Sequence, residues 1–321
     1  MPPASNPSDN FQAQFHQRWG DLHDRHVRAL AWLLSAPDLL DASAPQWQGR
    51  IASLGSELLR ADLDAWLHAL DRAPAALHAY LGEQPFVRLG RYAEKLLAFY
   101  LAQQGVLLAH GVQVREQHRT IGEFDFLLRL QDRLVHWEFA TKFYLLESSG
   151  NGHDADYFVG PNLADTLGAK MHKIFDRQLK LSEHEAARAH LPEPVASAQA
   201  LVKGWLFYHA GRHFARADGT SPAHCRGFWL SLAEMEDLRG EQLAIIPRLA
   251  WLAPAQLPRE SALDGSSLMQ ILRDYFAQDR MPVMIAVLRT EEDAARETER
   301  GFIVPDDWQT RAACRTRPLS R

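Results

Sequence analysis

Two alternating runs, Glu123–Leu130 and Arg133–Leu145, flank the polar pair Gln131-Asp132. Apolar and polar residues taking turns at a period of two mark strands, and a two-residue polar link between them marks a hairpin. Such a link sets Leu130 opposite Arg133. Counting back from there sets Phe126 opposite Trp137, Asp125 opposite Glu138 and Phe124 opposite Phe139. Side chains of a strand point alternately to its two faces. One face therefore carries Phe124, Phe126, Leu128, Val135, Trp137 and Phe139, a predicted core face. The other carries Glu123, Asp125, Glu138, Ala140 and Lys142.

Two carboxylates directly opposite on one face lie about 5 Å apart at Cβ and repel. A divalent cation offsets that repulsion, because carboxylate oxygens are the preferred ligands of Mg²⁺. A solvated face of mixed charge is the plain alternative for the hairpin alone. The helix predicted over Gly90–Gln104, closed by Gly105, adds a third acid. Glu94 shares its stripe with Leu97, Ala98 and Leu101. A carboxylate on an apolar stripe is costly unless a cation or a hydrogen-bond donor meets it.

Around this segment the pattern is mixed. Residues 11–80 read as helical, with apolar stripes ending at Pro37, running from Leu54 to Leu70, and again over Ala75–Leu81. Val106–Glu116 reads as a strand, residues 148–165 as a long loop, and Leu167–Ser182 as a basic helix. Further strand-like runs are Leu201–His209, Arg226–Leu232, Pro247–Leu252, Pro282–Leu288 and Gly301–Val304, with a helix over Ser266–Gln278. Strands interleaved with helices predict an α/β fold with a mixed sheet: an N-terminal helical region over 1–80 and a core over 81–321. Met1–Asn10 and the stretch after Trp308 read as loose tails.

The composition, 46% hydrophobic and 23% charged, is that of a globular protein. No apolar run is long enough for a membrane helix and no secretory leader is evident, so a cytoplasmic protein without membrane contact is expected. The two cysteines, Cys225 and Cys314, lie too far apart in sequence for a disulfide framework or a cysteine zinc site. A net charge of -5 argues against avid binding of nucleic acid over the whole surface and leaves room for a local basic patch. There is no Walker-type phosphate loop and no Gly-x-Ser-x-Gly element.

The order of helix with Glu94, strand with Asp125, and strand with Glu138 and Lys142 resembles that of PD-(D/E)XK phosphodiesterases. It is carried by Gly90-Arg91-Tyr92-Ala93-Glu94-Lys95, Gly122-Glu123-Phe124-Asp125-Phe126 and Trp137-Glu138-Phe139-Ala140-Thr141-Lys142. More narrowly, the chain resembles a bacterial family known as domain of unknown function 1853. Arg28-Ala29-Leu30-Ala31-Trp32, Glu138–Leu145 and Gly301–Trp308 carry that likeness. The resemblance implies a restriction-endonuclease-like fold, with Glu94, Asp125 and Glu138 as ligands of Mg²⁺ or Mn²⁺ and Lys142 as the catalytic lysine. One departure stands out: the usual acidic-x-Lys spacing puts lysine at position 140, where this chain has Ala140. Lys142 keeps the face but lies roughly 7 Å further along the strand. Lys170, Lys173, Arg177 and Gln178 of the basic helix are the expected substrate contacts.

Three functions are compatible with these residues. The first is a metal-dependent nuclease with a nucleic-acid partner, expected to be DNA. The second is a non-catalytic module that keeps the fold and binds nucleic acid or protein. The third is a hydrolase of smaller phosphate esters, with a pocket lined by Trp205, His209, His213, His224 and Trp229. The oligomeric state is left open.

Overall fold

The computed structural model describes residues 10–55, 58–147, 152–212, 216–238, 240–291 and 294–316. Five helices come first: α1 (Phe11–Trp19), α2 (Arg25–Ser35), α3 (Leu63–Arg72), α4 (Ala75–Leu81) and α5 (Leu89–Gln103). Asn10 caps α1, and Asp24 caps α2 by accepting the His26 and Val27 amides. The stripe from Leu54 to Leu70 is not one helix. Leu54 and Leu58 reach the core from turns around Gly55, and the helix begins only at Leu63. Past α5, Gly105 takes a φ of +69°, as expected of the residue that ends that helix.

The strands are β1 (Leu107–Glu116), β2 (Arg119–Leu130), β3 (Arg133–Leu146), β4 (Phe158–Val159), β5 (Ser197–His209), β6 (Cys225–Ser231), β7 (Gln242–Ile245), β8 (Gln256–Leu257), β9 (Leu263–Asp264), β10 (Val283–Thr290) and β11 (Ala295–Val304). Helices α6 (Leu167–Lys173), α7 (Gly265–Phe276) and α8 (Trp308–Thr316) complete the chain. Among the described residues all eleven strands join one sheet, ordered β1-β2-β3-β5-β6-β11-β10-β7-β9, with β4 on β3 and β8 on β11. The β3–β5, β5–β6 and β6–β11 pairings are parallel and the remainder antiparallel. The result is a mixed α/β fold with a central mixed sheet and helices on both faces. The parallel centre is largely buried on both sides, as a doubly covered sheet requires.

One core cluster joins Phe15, Trp19 and Trp32 of the early helices to Phe126, Trp137, Trp205 and Phe302 of the sheet. The opposite face packs Tyr144, Val202 and Tyr208 against Leu167, Met171 and Phe175. Between the two faces, β5 lies very close to β3 at the Lys142–Gly204 pair. A Cβ on Gly204 would sit 1.9 Å from the Lys142 carbonyl oxygen, so only glycine fits there.

Two expectations fail at the C-terminal end. Pro247–Leu252 is a turn and the strand precedes it, at Gln242–Ile245. Several carbonyls in and just after that segment go to buried side-chain donors instead of a ladder, Leu252 O to the Trp205 indole among them. Arg300 donates to Trp251 O and Ala253 O, and Arg28 donates to Pro254 O. The stretch after Trp308 is helix α8 up to Thr316, anchored by the buried Trp308 indole, which donates to Pro161 O at 3.0 Å. Residues 1–9, 148–151 and 317–321, read as tails and part of a loop, lie outside the described residues. No described helix is long and apolar enough to cross a membrane. Cys225 is buried, Cys314 is exposed, and both are free thiols.

Candidate functional site

The β2–β3 ladder runs from Leu130↔Arg133 to Phe126↔Trp137, the register expected from the two-residue turn. Gln131 and Asp132 both take positive φ, 49° and 59°, which matches the right-handed twist of a hairpin. Beyond Phe126 the strands part, and neither expected pairing, Asp125 with Glu138 or Phe124 with Phe139, forms in the ladder. Instead the Asp125 carboxylate accepts the Phe139 amide at 2.9 Å, a side chain standing in for a ladder bond. Phe124 turns to the face opposite the one expected, packs with Val114, Leu134 and Leu181, and meets the His136 ring edge-on at 4.8 Å.

This parting decides which acids meet. One carboxylate oxygen each from Glu94, Glu123 and Asp125 lie within 4.8 Å of one another. Glu138 lies behind this group. It is 1% exposed, shares a hydrogen bond with Asp125, accepts from Gln178 Nε2, and stands 3.2 Å from His136 Nε2. The structure thus gathers Glu94 and Asp125 as expected neighbours, sets Glu138 beneath them, and adds Glu123. The alternation had already put Glu123 on the acidic face, two residues before Asp125.

The electrostatics are uneven. Burial, with the Asp125 charge next, pushes Glu94 up to about 7. Burial and the neighbouring Glu138 push Asp125 up to about 7, and burial does the same to Glu138. Glu123 is held low by Arg91, whose Nη1 donates to Glu123 Oε1 at 2.6 Å. The same Nη1 donates to both oxygens of Glu94 at 3.0 and 3.1 Å. Arg91 is 51% exposed, so its two ion pairs are open to water and to competing cations.

The expected long basic helix is shorter than its sequence pattern. α6 ends at Lys173 and runs into a wide π turn over Ile174–Gln178. In a regular helix the eight residues from Lys170 to Gln178 overshoot two turns by about 80°. The wide turn takes up that excess and brings Gln178 beside Lys170. Lys170 Nζ donates to Gln178 Oε1 at 3.0 Å, and Gln178 passes the contact on to Glu138. Burial, then the Lys142 charge, lowers the Lys170 ammonium. Lys173 is exposed on the rim of the cleft, whereas Arg177 is exposed and does not line it. Lys170, Lys173 and Arg177, expected together as substrate contacts, are therefore split. Lys142 points to the loop after β4: its Nζ is 3.4 Å from Asp165 Oδ2, which also accepts from the Tyr144 hydroxyl at 3.0 Å.

These groups line one cleft of about 750 Å³. Arg88, Arg91, Lys142, Lys170, Lys173 and Arg248 surround Glu94, Glu123, Asp125 and Asp165, six cations to four acids. In a chain of net charge -5 this is a local excess of positive charge around an acidic floor. The aromatic and histidine residues expected to line an alternative pocket are engaged elsewhere in the fold. Trp205 and Trp229 are core, His209 meets Glu234 at 3.0 Å, His224 meets Tyr208 at 2.9 Å, and His213 lies outside the described residues.

A family model described as "Domain of unknown function (DUF1853)" matches residues 28–304. No curated protein and no solved structure matches the chain.

Proposed function

Because the chain belongs to a family whose description assigns no activity, we propose a function from its site: a divalent-metal-dependent phosphodiesterase acting on nucleic acid, built on a PD-(D/E)XK-like core. The observation that carries this reading is the convergence of Glu94, Glu123 and Asp125 on the floor of a cationic cleft. Their chemistry fits Mg²⁺ or Mn²⁺: three hard oxygen donors, two of them pushed up to about 7 by burial first and then by a neighbouring carboxylate, Asp125 for Glu94 and Glu138 for Asp125. Glu94, Glu123 and Asp125 would hold the ion, with Glu138 bracing Asp125 from behind. Such an ion supplies a Lewis acid that lowers the pKa of a water and stabilises a leaving oxygen.

The chain's own residues supply the rest. Lys170, partly desolvated and oriented by Gln178, is placed to hold a phosphate oxygen as charge builds on it. Lys142 anchors the loop through Asp165, a positioning role consistent with its displacement from the usual place. Arg88, Lys173 and Arg248 on the rim take flanking phosphates. Asp125→Ala is expected to abolish Mg²⁺-dependent cleavage of a polynucleotide. Lys170→Ala should slow it by about 10²–10³, the size of one lost electrostatic contact. Cleavage that survives Asp125→Ala, or EDTA, overturns the reading.

One observation favours a second reading, a non-catalytic binding module. Arg91 already pairs with both Glu94 and Glu123, so two of the three acids have a partner without any metal. A Mn²⁺ titration separates the two readings. Binding lost in Asp125→Ala supports the enzyme, and no binding at millimolar Mn²⁺ supports the module.

A further inference from the structure

The first turn of α5 separates two cavities. Arg91 and Glu94 face the acidic cleft, while Tyr92, about 200° around the helix from Glu94, faces a second cavity of about 670 Å³. The two share their walls residue by residue. Phe86 lines the second cavity and Val87 the cleft; Leu249 lines the second cavity and Arg248 the cleft. The second cavity therefore begins about one helix diameter from the carboxylates, or roughly 10–12 Å, and has cations of its own, Arg25 and Arg28.

This cavity differs in chemistry from the cleft. Its walls include Phe86, Tyr92, Leu249, Leu252 and Pro254. Val87, at 86% exposed, and Leu249, at 38%, stand on the shared rim. A mainly apolar cavity with a few aimed polar groups suits a flat heteroaromatic ligand. The aimed group is the Tyr92 hydroxyl. Arg25 Nε donates to His26 Nε2 at 3.2 Å, which leaves the ring proton on Nδ1. That proton is donated to Tyr92 Oη at 2.8 Å. Burial and the Arg25 charge lower His26, which keeps the ring neutral and this arrangement in place. The Tyr92 hydroxyl proton is then left over: among the described residues no acceptor is assigned to it, although Tyr92 is only 4% exposed. A buried donor without an acceptor is costly unless a ligand supplies one.

We propose that this cavity receives an unstacked base of the strand whose phosphate lies in the cleft, so that the substrate is single-stranded nucleic acid. The inference rests on the phosphodiesterase reading. Phosphates take the cationic rim, the neighbouring base leaves its stack to pass Val87 and Leu249, and one of its acceptor atoms takes the Tyr92 proton. A duplex keeps its bases paired and cannot make that contact.

The test is equilibrium binding of a short labelled single strand, and of the same sequence as a duplex, with Ca²⁺ in place of Mg²⁺. The single strand is expected to bind more tightly than the duplex. Tyr92→Phe, which keeps the ring, and Leu249→Asp, on the surface, should each weaken the single strand by about fivefold or more and leave the duplex unchanged. Arg88→Ala reports the cleft separately. If Arg88→Ala weakens binding but Tyr92→Phe and Leu249→Asp do not, the base site is wrong and the phosphodiesterase reading stands. If no variant matters and no strand binds, both fail. Self-association that Leu249→Asp disrupts assigns the cavity to a protein interface and overturns the base site.

Discussion

Three carboxyls with raised pKa values, two lining the cleft and one buried behind it, link folding to pH. Glu94, Asp125 and Glu138 hold their protons to about 7 in the folded chain, against ordinary values of 4.5, 3.8 and 4.5. Between those limits the folded state binds more protons than the unfolded one, so their contribution to stability falls as pH rises through the window. Buried histidines act oppositely. His16 is lowered to about 3, and His136 and His224 to about 4, all by burial first. They bind fewer protons when folded, so stability rises with pH up to their ordinary value of 6.5. The two effects oppose below 6.5; above it the lowered histidines no longer contribute and the carboxyls remain. The metal-free melting temperature is therefore expected to fall between pH 6.5 and 8. Asp125→Asn should flatten that fall, and Mn²⁺ at pH 8 should restore the lost stability. A melting temperature that climbs over this range in EDTA contradicts the account. Metal binding should itself weaken below pH 7, where protons compete for the same oxygens.

At the scale of elements, what was legible in the sequence was whatever period and turn chemistry dictate. The hairpin register from Leu130↔Arg133 to Phe126↔Trp137 follows from a two-residue turn and strict alternation. α4 and α5 follow from stripes bounded by Pro74 and Gly105. Other features were not legible because partners distant in sequence decide them. Phe124 changes face because the Asp125 side chain replaces a backbone bond. Gln178 reaches Glu138 because α6 widens into a π turn. The segment around Trp251 mimics a strand because apolar burial there comes with carbonyls satisfied by Arg300. Gly204 offers a test at this scale. Gly204→Ala forces a Cβ into the Lys142 carbonyl, and β5 must move away from β3. A loss of about 3 kcal/mol or more in urea denaturation is expected, the upper end of overpacking costs. A near-neutral result would mean that the strands part easily beside the site.

Across the whole molecule, two buried guanidinium groups fasten the wall shared by the cleft and the second cavity. Arg300, fully buried, pairs with Glu297 at 2.6 Å and lies 4.2 Å over Trp205. Arg28 donates to Trp19 O, Leu22 O, Pro254 O and Gln256 Oε1. The wall is thereby tied to the central sheet and to α2, so the N-terminal helices help to shape the site. Arg300→Met leaves Glu297 as an unpaired buried charge and is expected to destabilise the fold by about 3–5 kcal/mol. Urea unfolding of that variant and of the double variant with Glu297→Gln checks the cause. The second change should recover part of the loss, and no recovery would place the cost in the carbonyl contacts instead.

Arg91 gives the candidate site an order of events. Under the proposed function a cation entering between Glu94 and Glu123 would meet a seat already taken by a guanidinium, so its binding would be an exchange and not a simple filling. Arg91→Ala should then bind Mn²⁺ more tightly at pH 8, with a faster association. Once released by such an exchange, Arg91 would be an unpaired positive charge in the cleft, free to meet a phosphate. Order-of-addition kinetics should therefore be compulsory, ion before strand, and that order should become random when Arg91 is removed.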